Sequence, residues 1–138
     1  MAFSDDEIAY LRTQPVARLA TVNADGGPDV VPVAFEVDDS AIWVGGIGAQ
    51  VLKTRKFRNI GAGRAEVSLV VDDVVSIQPF IARSVRVYGI AEPPVERVGM
   101  MGPGLYSRIT PRVSWSWNLA GEPAGEHWYA ANRTVHEP

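Results

Sequence analysis

Five residues in one short segment carry side chains suited to gripping an anion: Lys53, Thr54, Arg55, Lys56 and Arg58. They follow a glycine-rich run containing Gly45, Gly46 and Gly48, which is preceded by the apolar, strand-like stretch Ala41 to Val44. Glycine lets a backbone come close to a ligand, and a helix start presents N–H groups with no partner inside the helix. Cations near a helix start oppose its macrodipole, and a bound phosphate would relieve that repulsion. The pattern predicts an anchor for a phosphorylated cofactor on a strand–glycine–helix unit. A hairpin turn leading into a solvated helix produces the same pattern with no ligand at all.

The elements that must position this segment follow from periodicity. The basic helix is expected over about Val51 to Ile60, ended by Gly61-Ala62-Gly63. At 100° per residue, Lys53 shares a face with Phe57 and Ile60, while Arg55 and Arg58 take the other. Lys53 then either snorkels to water or meets an anion. Ser4 and Glu7 form a capping box that starts a helix carrying Ile8 and Leu11, and Pro15 stops it. Val16 to Val22 and Pro28 to Val37 are strands joined at Asn23-Ala24-Asp25-Gly26-Gly27. Pro32 within the second strand points to an edge, a bulge or a ligand-facing position. Ala65 to Val71 and Arg83 to Glu92 are further strands, with Ser76 to Ala82 a loop between them, and Leu105 to Trp117 is a sixth. Glu92 to Gly104 reads as a loop with a short helix around Val95 to Met100. Short strands dominate and helices are few, which predicts a mainly β protein, a small antiparallel barrel, rather than an α/β sheet.

Composition limits the function. The 138 residues suit one domain spanning 1–138, with the role of a tail over 118–138 left open. Apolar residues make up 46% and charged residues 21%, enough for a core and unlike a disordered chain. A net charge of −3 argues against nucleic-acid binding by bulk charge and sets the basic segment apart. Without cysteine there are no disulfides, thiolate metal sites or cysteine nucleophile, which fits a cytoplasmic protein. The acidic N-terminus has no apolar signal core, and no apolar run approaches the roughly 20 residues of a membrane helix.

Other chemistry is poorly supported. His127 and His136 lack metal-ligand spacing, so no metal site is predicted. His127 beside Trp128 and Tyr129 reads as tail packing. Asp72-Asp73 reads as a solvated turn at a strand end rather than as an acid/base pair. Ser84 and Ser107 have no base partner in sequence, against a hydrolase triad. Met100-Met101 reads as gap filler or a flexible lid. Tyr88 and Tyr106 are phenols able to protonate a product, or simply packing residues. Trp115 and Trp117 share one strand face, as core, interface or substrate platform.

The series ARLATVNADGGPDVVPVAF, IWVGGIGAQVLKTRKFRN, VSLVVDD, RVYGIAE and LYSRITPRVSWSW resembles the pyridoxamine 5'-phosphate oxidase-like split β-barrel family over about Ala17 to Trp117. It is most similar to the actinobacterial branch that uses the deazaflavin coenzyme F-420. The resemblance implies a homodimer of six-stranded antiparallel split barrels with the cofactor in a groove at the dimer interface. It implies that Lys53, Thr54, Arg55 and Lys56, with Arg58 beside them, meet the phosphate, that Gly45 and Gly46 lead into that segment, and that Val31, Pro32 and Val33 lie along the ring. Gln78 and Phe80 match the loop that closes over the ring. Tyr106, Trp115, Trp117 and Asn118 fall on the substrate or partner-subunit side. The implied activity is F-420-dependent hydride transfer to a small organic acceptor. The alternatives are FMN-dependent chemistry on the same fold, a non-catalytic flavin or deazaflavin binder, and a barrel whose basic helix is purely structural. The vitamin-pathway oxidase matches poorly, since Arg112 and Arg133 stand without its C-terminal motif.

Overall fold

The computed structural model describes residues 3–137 of the chain. The first helix, α1 (Asp5–Arg12), carries the expected capping box: Glu7 N–H donates to Ser4 Oγ at 3.1 Å, and Ser4 N–H donates to Glu7 Oε1 at 3.0 Å. Three strands follow, β1 (Val16–Val22), β2 (Pro28–Val37) and β3 (Ile42–Gly46). A 3-10 turn (Ala49–Lys53) and the helix α2 (Arg55–Gly61) come next, then β4 (Glu66–Ser76), β5 (Ile81–Ala91), β6 (Val95–Gly99), β7 (Gly102–Trp117) and β8 (Asn132–Val135). The antiparallel order β3-β2-β1-β4-β5-β7 closes on itself because β3 also pairs with β7. The result is a six-stranded barrel, with β6 and β8 added on β7. Alternation along each strand sends Ala17, Leu19, Val33, Phe35, Val44, Leu69, Val71, Val85, Val87 and Ile109 inward. No helix among the described residues is long and apolar enough to cross a membrane.

Closure requires β3 and β7 to approach very closely. A Cβ on Gly45 would collide with the carbonyl oxygen of Leu105 and lie 2.8 Å from Tyr106 Cα. Barrel closure within the chain is by itself enough to demand a glycine at this position.

Three further expectations need correction. The stretch expected to hold a short helix at Val95 to Met100 is strand β6, because Val95 pairs with Tyr106 and Val98 with Pro103 in a hairpin. Asp72 and Asp73 do not sit in a solvated turn: β4 runs on to Ser76, and both carboxylates are bound. Asp72 accepts from Arg18 at 2.8 Å, while Asp73 accepts from Tyr10 Oη at 2.7 Å and from both ends of the Arg83 guanidinium. The Arg83 hydrogen bond holds Asp73 below the ordinary carboxylate range, and burial with the Asp73 bond pushes the Tyr10 phenol up. The third concerns the basic segment. The expected single helix from Val51 is a 3-10 turn followed by α2, so Lys53 lies before α2, exposed, and shares no face with Phe57.

The chain ends on a buried polar clasp. Ser114 Oγ donates to Glu7 Oε2 at 2.5 Å and lies 2.9 Å from His136 Nε2. Since the serine proton goes to the carboxylate, Nε2 must carry the imidazole proton and donate to Ser114. Nδ1 is then a bare acceptor, buried without a partner among the described residues, and Phe3 packs edge-on against the ring at 4.7 Å. Burial lowers the His136 pKa, opposed in part by Glu7.

Two predictions follow from closure and clasp. Gly45→Ala should cost at least about 2 kcal/mol, because backbone rather than a flexible side chain must move; urea denaturation measures it, and an unchanged midpoint would contradict the closure argument. The folded state keeps His136 neutral, so its contribution is complete above the unfolded pKa of 6.5 and is lost as pH falls through the folded value. The loss of stability between pH 7 and pH 5 should therefore be shallower in His136→Gln than in the parent, as read from denaturation midpoints at both pH values.

Candidate functional site

Two features of β2 and α2 meet at one end of the barrel. β3 pairs with β2 only at Phe35, Glu36 and Val37, whereas β1 pairs with β2 from Pro28 to Ala34. The stretch Pro28 to Ala34 thus has one unpaired edge. This is where Pro32 sits, so its missing N–H disrupts no ladder on that side. Pro32 is exposed, Val31 half-buried and Val33 buried, so the strand offers solvent a flat, mostly apolar backbone edge.

Helix α2 is tied to the neighbouring turn by a buried amide. Asn59 Nδ2 donates to Thr21 Oγ1 at 2.9 Å and to Asn23 Oδ1 at 3.1 Å, and Asn59 Oδ1 accepts from Arg64 at 3.3 Å. Phe57 and Ile60 enter the core from the same helix. Packing of this face leaves Arg55 and Arg58 exposed, as the helical spacing predicts. Together with Arg64 they line a cleft of about 360 Å³ against Asn23 and Asp25. Lys56 takes the inward-leaning place expected for Lys53. It is half-buried, 5.2 Å over the Phe57 ring, and burial lowers its pKa although Asp29 on β2 pulls the other way. Among the described residues no carboxylate pairs within 4 Å with Lys53, Arg55, Lys56 or Arg58, while five other arginines do have such partners. Thr54 Oγ1 donates to Val51 O at 2.8 Å and does not cap α2. The arrangement is a set of cations without a close ion pair beside an open, mostly apolar strand edge, which suits a flat ligand bearing an anionic arm.

The remaining expected site residues lie elsewhere in the chain. Gln78 and Phe80 occupy the β4–β5 turn, ten residue steps along β4 from Glu66, roughly 33 Å from the α2 end. There Phe80 meets Trp128 at 6.0 Å, and Trp117 stacks on Tyr129 at 5.4 Å with 9° between planes. His127 directly precedes Trp128 and Tyr129, and the tail is held by Asn118, whose amide donates to Ala82 O and Glu122 O at 2.7 and 2.8 Å. Tyr106 is wholly buried. Its hydroxyl donates to Gly102 O at 2.9 Å and accepts from Met101 N–H at 3.2 Å, so it is committed to the β6–β7 turn. Trp115 is joined to the β2 edge by register alone: Pro32, Arg18, Val70, Arg86, Trp115 and Arg133 are successive partners across six strands. Four strand spacings separate Pro32 from Trp115, about 19 Å around the curved sheet. One chain therefore assembles the cationic half and leaves the aromatic half apart. Asn59, Arg64 and Arg86 were not singled out from sequence; the asparagine follows the basic run directly, but only the fold shows its amide buried.

Comparisons with known proteins agree with this architecture. Residues 4–130 match the family model described as pyridoxamine 5'-phosphate oxidase. A 5a,11a-dehydrotetracycline/5a,11a-dehydrooxytetracycline reductase of Streptomyces rimosus is 44% identical over 92 residues, covering 67% of this chain and 64% of the relative, so the chain spans less than two thirds of that relative's length. A conserved hypothetical protein of Mycobacterium tuberculosis superposes with a TM-score of 0.67 at 24% identity, covering 92% of this chain and 93% of that one. An F-420 reductase superposes with a TM-score of 0.57 at 22% identity, covering 73% and 90% of the respective chains. At these identities the two solved structures speak for the fold.

The anchoring role of Asn59 is testable. Asn59→Ala strands the Thr21 hydroxyl and the Asn23 carbonyl and should cost about 1–3 kcal/mol in thermal or urea denaturation. A cost near zero would mean that α2 is held by Phe57 and Ile60 alone.

Proposed function

This chain belongs to the pyridoxamine 5'-phosphate oxidase family, and on that premise we propose that it is a flavin- or deazaflavin-dependent oxidoreductase, with F-420 the preferred cofactor and FMN the alternative. The observation that carries the reading is the group of cations at α2, none with a carboxylate within 4 Å among the described residues, beside the open edge of β2. Lys56 is the most telling of them: a half-buried ammonium with a depressed pKa gains most from a bound anion. In this reading Lys56 and Arg55 hold the phosphate, Thr54 and Arg58 flank it, and exposed Lys53 adds longer-range attraction. Val31, Pro32 and Val33 form the wall along the ring. When bound, a reduced deazaflavin supplies a hydride to an electron-poor C=C or C=N bond. The chain itself need only bind, orient and exclude water, and no protein nucleophile is required. The Streptomyces rimosus relative, named as a reductase of a dehydrotetracycline, supports reduction of a conjugated acceptor as the direction.

We read 1–138 as one cofactor-binding domain and as a protomer of a homodimer. Exposed apolar side chains, among them Val30 at 67%, Ile77 at 76% and Val98 at 75%, are surface that a second copy can cover. A second copy related by a twofold would also set the aromatic half of one chain, with Phe80, Trp115 and Trp117, over the cationic half of the other.

Paired titration with F-420 and FMN tests the cofactor. F-420 should bind more tightly, because its phosphodiester and glutamate tail offer more charge to the α2 cations; an FMN affinity tenfold higher, about 1.4 kcal/mol, would transfer the assignment to FMN. Lys56→Ala should weaken the preferred cofactor by about 10- to 100-fold, the range of a lost charge-assisted contact, and Lys53→Ala by much less. Sedimentation at micromolar concentration should give a dimer, whose obligate interface would bury on the order of 2,000 Å²; a monomer would contradict the shared-groove reading.

A further inference from the structure

Among the described residues after Ser116, His136 alone is buried. The strand before it, β8, puts nothing in the core: Asn132, Arg133 and Val135 are exposed and Thr134 is half-buried. β8 nonetheless covers the edge of β7 from Val113 to Ser116, where β3, which stops pairing at Ile109, does not reach. A segment with so few buried contacts lies at the low end of local stability. Its attachment rests on the ladder and on His136, whose backbone N–H also donates to Arg112 O at 2.8 Å.

The clasp accommodates one protonation state of the ring. With Nε2–H on Ser114 and the serine proton on Glu7, the neutral imidazole is satisfied on that side, and Nδ1 has no partner among the described residues. A proton added at Nδ1 creates a buried, charged donor with no acceptor. The surrounding groups offset this only in part. Burial disfavours the charge, Glu7 on α1 attracts it from across Ser114, and the amino terminus of the chain repels it. On β7, the Arg112 guanidinium pairs outward with Glu66 at 3.5 Å. Glu137, next in the chain, is exposed. The clasped ring therefore takes up a proton less readily than a free one.

From this cluster and the weakly buried strand beside it, we propose that the clasp is a proton-operated latch: uptake of one proton at His136 Nδ1 releases β8 from β7 while the barrel stays closed. Release bares the β7 edge from Val113 to Ser116 and takes Arg133 away from Trp115. The event is local, unlike the loss of overall stability described above. It requires neither the cofactor nor the second copy, so latch and proposed function can each fail without the other.

Amide hydrogen exchange of the full chain, read by mass spectrometry as protection factors at pH 7.5 and pH 5.5, tests the latch. Released His136 titrates at the ordinary value of 6.5, so the opening constant of β8 should rise several-fold at the lower pH, within the limit of about tenfold per pH unit that one proton sets. Protection of the β4 and β5 amides should stay constant. His136→Gln should hold β8 protection level across both pH values, and His127→Gln, at the other histidine, should keep the parent's response. Unchanged β8 protection in the parent, an equal loss across β4 and β5, or the parent's response persisting in His136→Gln would each overturn the proposal. The first two readings come from the parent chain and need no variant to fold.

Discussion

The close approach of β3 to β7 is the constraint on which the rest of the molecule depends. Without it the strands would form an open sheet with two free edges, and the inward alternation of β1, β4 and β5 would face solvent. Gly45 permits the approach on one strand, and on the other Gly104 does the same, since a Cβ there would strike the Gly46 carbonyl. Closure also ends β3 at Gly46 and directs the chain outward into the 3-10 turn and α2. The basic segment stands where it does because the barrel has to close just before it.

Once closed, the barrel is short of partners in one place. β3 is only five residues long and β2 is ten, so β2 from Pro28 to Ala34 is paired on its β1 side alone. That deficit is the structural origin of the candidate site. Asn59 then draws α2 against the adjacent turn, and because Phe57 and Ile60 take the inward positions, Arg55 and Arg58 are left exposed, with no carboxylate within 4 Å among the described residues. The far end is governed by the tail, which returns along β7 as β8 and packs Trp128 and Tyr129 over Trp117. The Glu7–Ser114–His136 clasp ties the first helix and the segment after β8 to the longest strand, so both bear on the same sheet.

Much of the fold could be read from the residues. The capping box, the β1–β2 hairpin and the exposed faces of Arg55 and Arg58 all follow from local chemistry, and for Pro32 local chemistry leaves an edge, a bulge or a ligand-facing position, among which pairing selects the edge. The departures share one cause. Val95 to Gly99 reads as loop or helix until Tyr106 opposite supplies a hairpin partner, Asp72 and Asp73 read as a turn until Arg18, Arg83 and Tyr10 satisfy them, and Lys53 reads as helical until the 3-10 turn shifts the helix start to Arg55. In each case a partner distant in sequence changed the answer.

The sequence by itself determined the strand faces, the turns, the helix cap, the absence of thiol chemistry and the presence of one concentrated basic segment, because each depends on residues within a few positions of one another. Only the tertiary structure decided that Gly45 serves closure, that Lys56 rather than Lys53 leans inward, and that Arg86, Trp115 and Arg133 form one row. Alternation tells which face a side chain takes, but not which strand lies beside it. That is set by closure and register, and a shift of one residue in pairing would dissolve the row while leaving every local pattern unchanged.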